Sequence, residues 1–233
     1  MNIGNFEIGA GKTFIIAECC SNIIPHLYNL GGIVSAVASI GANALKVQLY
    51  KADHFPENEQ ASKKRIEFPR DLFPQLVKLC HEKGLACGAS VFDEEAVGVV
   101  IKSGGDFLKL ATREWQHQSL YDLCDVTGLP VIYSYNCRED LGHRYKAVRH
   151  GLAMACVPEY PAGKFFIPSF MNDRGWSSHS DHWLDCLIAV SRRAIIVEKH
   201  IKFAADNYEA GWSLYPDQFH QMVKDIRWVE EAR

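Results

Sequence analysis

Short apolar runs alternate with longer stretches of helical periodicity from one end of the chain to the other. The runs span 14–17, 44–49, 85–90, 107–110, 130–135, 152–156, 175–178 and 194–197. Several are too apolar for one face to meet water, as strands buried in a parallel sheet must be. Between them the pattern predicts helices over 32–40, 69–83, 93–103, 119–126, 140–150, 184–192 and 216–231. Gly84, Gly104, Gly128 and Gly151 supply stop signals, and Pro216 opens the last helix. The connection over 161–173 has the weakest helical pattern, and 51–65 reads as a long polar loop above the second strand.

Eight strand–helix repeats suit either a closed barrel or a doubly wound open sheet. The glycine-rich phosphate fingerprint of dinucleotide-binding sheets is missing after the first strand. The expectation is therefore a (β/α)8 (TIM) barrel forming a single domain over residues 1–233, close to the ~250 residues such barrels use. Phe107-Leu108 and Leu110 flank a charged Lys109, a break in an apolar strand that calls for a reason.

Composition narrows the partners. Apolar residues at 48% and charged residues at 23% supply a sizeable core. A net charge of −3 gives no electrostatic reason to expect nucleic acid or a membrane surface. No apolar run reaches the ~20 residues of a membrane span, and the N-terminus lacks a signal-peptide pattern. Eight cysteines without a CxxC pair read as free or buried thiols of a cytoplasmic protein, Cys19 and Cys20 among them.

Barrel sites form at the C-terminal ends of the strands. The polar residues there are Glu18 and Asn22, Lys46 and Gln48, Ser90, Lys109 with Thr112 and Glu114, Ser134, Tyr160, Ser180-Asp181-His182, and Glu198 with His200. Lysines with hydroxyls such as Ser134 and Ser180 suit a phosphate. His182 and His200, on consecutive strands, could share one ion and leave positions open for water or carbonyl oxygen. Read structurally instead, Lys46 and Lys109 would be interior lysines paired with Glu18 or Glu198, since unpaired buried charges are costly.

The segments FIIAECCSN, GANALKVQLYKA, FLKLATRE, SHSDHW, VEKH and SLYPDQFHQMVKDIR are collinear with signatures of the sialic acid synthase family, which the chain resembles from about residue 14 to 227. The resemblance implies condensation of phosphoenolpyruvate with an open-chain N-acetylated amino sugar, releasing phosphate and forming a keto acid. It implies phosphate contacts from Lys46, Thr112, Ser134 and Ser180, and a carboxylate contact from Lys109. It further implies that His182 and His200 hold a divalent metal, manganese with magnesium or cobalt as alternatives. Glu18 would contact the sugar or the water attacking C2, and Tyr160 would line the sugar side. Gln48, Ser90, Glu114 and Asp181 fall in the same substrate-binding set. Glu209 falls near a family aspartate.

The chain departs from the family pattern mainly on the sugar side. Asn22-Ile23-Ile24-Pro25 replaces an asparagine–histidine–glycine loop, and Pro158 stands where an asparagine is expected. Arg113 takes the place of a small residue, and Tyr135-Asn136 that of threonine–glycine. The sequence ends after the eighth helix, so the resemblance covers the catalytic barrel and not the antifreeze-like domain into which members usually continue. A changed or smaller aldehyde is the expectation, with self-association left open. A lyase using Lys109 as a Schiff-base amine and a non-catalytic binding homologue are the readings from other classes.

Overall fold

A computed structural model describes residues 1–138, 148–149, 151–163, 167, 171 and 174–232. Eight parallel strands close into a barrel. They are β1 (Phe14–Glu18), β2 (Ala44–Leu49), β3 (Ala86–Val91), β4 (Phe107–Leu110), β5 (Val131–Asn136), β6 (Gly151–Cys156), β7 (Gly175–Ser178) and β8 (Ile196–His200). Each pairs with its neighbours in sequence, and β8 pairs with β1 to complete the ring. Outside run α1 (Leu30–Ser39), α2 (Glu57–Lys64), α3 (Phe73–Glu82), α4 (Glu94–Lys102), α5 (Gln118–Val126), α6 (Leu184–Ser191) and α7 (Pro216–Glu231). The expected helix over 140–150 and most of the connection over 161–173 lie outside the described residues.

Alternation along the strands divides the core in two. Odd-numbered positions on β1, such as Ile15 and Ala17, face the helices together with Leu45, Val47, Ala89, Leu108 and Val197. Phe14, Ile16, Ala44, Ala86, Phe107, Ile132, Leu152, Met154 and Ile196 form a second cluster, filling the barrel's interior. A two-stranded N-terminal ribbon, Asn2–Ile3 against Phe6–Glu7, precedes β1, and Ile3 and Ile8 complete this interior cluster from below. Gly88 makes room inside: a Cβ there would lie 2.5 Å from the Phe107 ring. A side chain at this position would displace the aromatic ring from the interior packing.

The expected strands are all present; those at 44–49, 107–110 and 175–178 match end to end, and the others shift at one or both ends. The largest shift is at β8, expected at 194–197 and found at Ile196–His200. Residue Arg193 is left-handed (φ 72°) and Ala194 returns its N–H to Ala189, so both belong to the end of α6. The long loop expected over 51–65 contains α2, a helix with no buried residue. Its first turn carries Glu57 and Glu59 and its last Lys63 and Lys64, the order that complements the helix dipole. α3 begins at Phe73 because a short 3-10 turn, Arg70–Leu72, occupies the expected start.

Candidate active site

Even-numbered residues on the first strands continue upward from the apolar interior and turn polar at the C-terminal ends. Glu18 lies opposite Lys46, Gln48 opposite Ser90, and Ser90 opposite Lys109. Across the ring closure, His200 lies opposite Glu18 and Glu198 opposite Ser177. These side chains line one cavity of about 40 Å³ with Ala111, Thr112, Ser134, Cys156, Tyr160 and His179. That volume holds little more than one water.

Ion pairs fill the floor of the mouth. Lys46 pairs with Glu18, donates to Ser90 Oγ at 2.8 Å and lies 3.5 Å from Glu198. Lys109 lies 3.3 Å from Glu198, which also accepts from Ser177 Oγ at 2.9 Å. The second Glu18 oxygen accepts from the Cys20 amide at 2.7 Å. All four charged groups are buried. Burial pushes the Lys46 amine down to about 8; Glu198 pulls it back up and Lys109 adds to the fall. Burial acts to raise the Glu198 carboxyl, but Lys109 and Lys46 together hold it well below the usual range.

Two imidazoles stand above this floor. His179 and His200 have ring centroids 5.7 Å apart. The His179 Nδ1 lies 2.7 Å from the Val157 carbonyl, which can only accept, so the proton sits on Nδ1 and Nε2 keeps its lone pair. Burial, with His200 beside it, holds His179 down to about 3 and therefore neutral. The His200 Nδ1 lies 3.0 Å from Glu209 Oε2, which orients the ring. Glu209 in turn accepts from Cys20 Sγ at 3.0 Å, and its amide donates to Asn22 Oδ1 at 3.0 Å.

These two histidines fit a divalent ion. Each has its far nitrogen anchored by an acceptor, the arrangement that orients metal-bound histidine. Nitrogen–metal distances of about 2.1 Å allow rings at this separation to share an ion. Among the described residues no group of three or more His, Cys, Asp or Glu side chains forms a complete metal cage. A two-histidine set leaves coordination positions for substrate oxygen.

The structure brings Glu18, Lys46, Gln48, Ser90, Lys109, Thr112, Ser134, Tyr160 and His200 together, with Glu209 in the adjoining cavity. It does not bring in four others. His182 is exposed, stacks on Trp183 at 4.3 Å and accepts the Leu184 amide at 3.2 Å, capping α6. This corrects the expected pairing of His182 with His200; the histidine beside His200 is His179. Ser180 turns away to Asp185 at 3.0 Å and the His182 carbonyl at 2.6 Å, so Ser177 is the β7 hydroxyl in the mouth. Asp181 is exposed, and Glu114 is taken up by Arg113 and His117. Strand parity was the available signal. Gly175 and Ser177 alternate inward along β7 and His179 continues the alternation just past its end, whereas Ser180 and His182 follow a break in it.

All eight cysteines are unbridged. Burial raises the Cys19 and Cys20 thiols well above their ordinary value, with Cys80 and Glu209 respectively reinforcing it. Neither is an activated nucleophile. No helix among the described residues is long and apolar enough to cross a membrane.

The NeuB family model matches residues 33–233. The chain belongs to the NeuB family. It is 27% identical to the spore coat polysaccharide biosynthesis protein SpsE of Bacillus subtilis (strain 168), over 98% of this chain and 70% of that protein. It is 24% identical to the pseudaminic acid synthase of Campylobacter jejuni, over 100% and 78% respectively. Among solved structures, the N-acetylneuraminic acid synthetase of Leptospira borgpetersenii superposes with a TM-score of 0.88 at 24% identity, over 100% of this chain and 89% of that one. A truncated 3-deoxy-D-arabino-heptulosonate 7-phosphate synthase from Thermotoga maritima shares the fold at a TM-score of 0.73 and 13% identity. The NeuB chain described here is thus an enzyme-type barrel whose relatives are sugar-acid synthases.

Proposed function

We propose that this protein joins phosphoenolpyruvate to a sugar aldehyde, releasing phosphate and forming a keto acid. The observation that carries the reading is the pairing of two buried lysines with two anchored histidines in one barrel mouth. Lys46, with Ser90, Ser134 and Thr112 around it, receives the phosphate; Lys109 receives the carboxylate. His179 and His200 would hold a divalent ion, manganese first, and that ion supplies polarisation of the aldehyde oxygen when bound.

The resting ion pairs then have a chemical use. Phosphate draws Lys46 away from Glu18 and leaves Glu18 Oε2 free, while Oε1 stays fixed by the Cys20 amide. C3 of phosphoenolpyruvate attacks the aldehyde carbon, and positive charge develops at C2 beside this freed carboxylate. Water adds to C2 with Glu18 taking its proton. The aldehyde oxygen ends as a hydroxyl, taking up the proton that Glu18 removed from water. The tetrahedral product expels phosphate with cleavage of the C2–O bond as the C2 hydroxyl passes its proton to the departing phosphate, leaving the C2 ketone.

The test is phosphate release from phosphoenolpyruvate with manganese across a panel of aldoses and N-acetylated amino sugars. Release that needs both aldehyde and metal supports the condensation. Absence of release with every aldehyde, together with no phosphoenolpyruvate binding, overturns it. One observation favours a second reading. Burial pushes the Lys46 amine down to about 8, as a Schiff-base lysine requires; the sequence had pointed to Lys109 for that role. Borohydride trapping on Lys46 in the presence of an aldehyde or keto acid would establish it, and the condensation predicts no adduct.

The same amine sets a pH dependence. Phosphoenolpyruvate affinity is expected to fall as pH rises through about 8, because Lys46 loses its proton there. Folding stability moves the other way. Between about 8 and the ordinary 10.5 the unfolded chain binds the proton that the folded chain has released, so stability rises across that window. Below about 8 both states are protonated and the cost of burying the charge is fully present. Titration calorimetry and denaturant melts from pH 7 to 10 read the two slopes.

A further inference from the structure

A second cavity, of about 320 Å³, opens from His200 and Glu209 toward the rim. Its walls include Gln48, Tyr160 and Trp212, and its outer end carries Lys63 and Arg113. A space of this size accommodates a small ligand. It shares His200 and Tyr160 with the mouth below, so it is where the aldehyde partner would extend. This inference rests on the proposed condensation.

The cations are held in place by rings. The Arg113 guanidinium carbon lies 4.8 Å from the Phe55 ring centroid and 4.4 Å from that of Phe92. The Lys63 ammonium lies 4.9 Å from the Phe55 centroid and 6.0 Å from that of Tyr208. Such contacts fix a cation without neutralising it. Arg113 meets one carboxylate, that of its neighbour Glu114, through Nε at 3.1 Å, and His117 shares that carboxylate at 3.2 Å. Among the described residues Lys63 has no carboxylate partner, while nearby Asp93 and Glu95 are already paired with Arg70 and Lys51. Glu209, the acid of this cavity, is engaged by His200 and Cys20. Trp212 adds a buried indole N–H without a partner among the described residues.

We infer that the aldehyde substrate is a sugar phosphate, whose terminal phosphate ester is bound by Arg113 and Lys63 at the outer end of this cavity. Two cations match a dianion, and the guanidinium presents planar donors to phosphate oxygens. The indole N–H is a donor for a sugar oxygen on the way. Arg113 is bulky where the family pattern expects a small residue. In this reading, the substitution selects a substrate with a charged end.

The experiment measures binding, so it does not depend on turnover. Divalent metal is first removed with a chelator so that no condensation occurs, and the protein is saturated with phosphoenolpyruvate, which occupies Lys46 and Lys109. Matched aldoses and N-acetylated hexosamines, each with and without a terminal phosphate ester, are then titrated calorimetrically, along with the corresponding uronic acids. The phosphorylated member is expected to bind about tenfold tighter or better, with Arg113→Gln and Lys63→Gln each removing most of that gain. Thermal melts verify that the variants are folded. Equal binding within each pair, a preference that survives both substitutions, a uronic acid that outcompetes the phosphate, or no binding by any member overturns the inference. The initial phosphoenolpyruvate titration reports independently on the proposed function.

Discussion

Replacing His179 by alanine is expected to lower metal-dependent turnover by about a thousandfold, whereas His182→Ala leaves it within about twofold of the parent. The contrast follows from geometry. His179 presents an unprotonated Nε2 to the same space as His200, and removing one of two imidazoles removes half of the protein's nitrogen donors. His182 sits exposed on Trp183 at the start of α6 and loses only a capping contact. Manganese affinity, measured by calorimetry or by the spin signal of the free ion, gives a readout independent of substrate. It should drop for His179→Ala and stay for His182→Ala. The reverse pattern would sink the assignment of the metal site.

Glu198→Gln should destabilise the ligand-free protein by about 3 kcal/mol, the scale for removing one partner of a buried ion pair. At this chain length that corresponds to a fall in Tm of about 6–12 °C. Glu198 is the carboxylate that both lysines share, at 3.3 Å from Lys109 and 3.5 Å from Lys46. Without it the floor of the mouth carries two cations against the single carboxylate of Glu18. An anion that binds there should therefore restore more stability to the variant than to the parent. Phosphoenolpyruvate at about a hundred times the parent's Kd contributes about 2.7 kcal/mol to the parent, and at the same concentration the tighter anion site of the variant makes the contribution larger. A melt series with and without phosphoenolpyruvate checks both halves. A variant that melts with the parent would show that the carboxylate does not offset the lysines.

Most of the architecture was legible in the sequence because the barrel strands are buried on both faces and read as continuous apolar runs. Lys109 inside such a run stood out for the same reason, and it does face the interior. α2 was missed because all of its residues are polar or small and it buries none, which removes the periodicity on which a helix is recognised. Its charge order was a usable trace. The lining of the mouth was legible where a strand ran straight into it, as for Glu18, Lys46 and His200. It was misread after β7, where two Ser/His pairs lie three residues apart and only the inward alternation separates them. Ser177 and His179 satisfy that alternation. Arg113 was visible as a departure from the family pattern, but sequence alone did not show that Phe55 and Phe92 grip it at the edge of a cavity.

The N-terminal ribbon has a kinetic consequence. With Ile3 and Ile8 seated among the interior side chains, the barrel has a stopper at its lower end, and among the described residues its doorway lies above. Under the proposed reaction the deep tenant, phosphoenolpyruvate, must enter before the aldehyde can sit over it. Traffic is therefore compulsory in order: last in, first out. The new keto acid clears the doorway before phosphate can leave the floor.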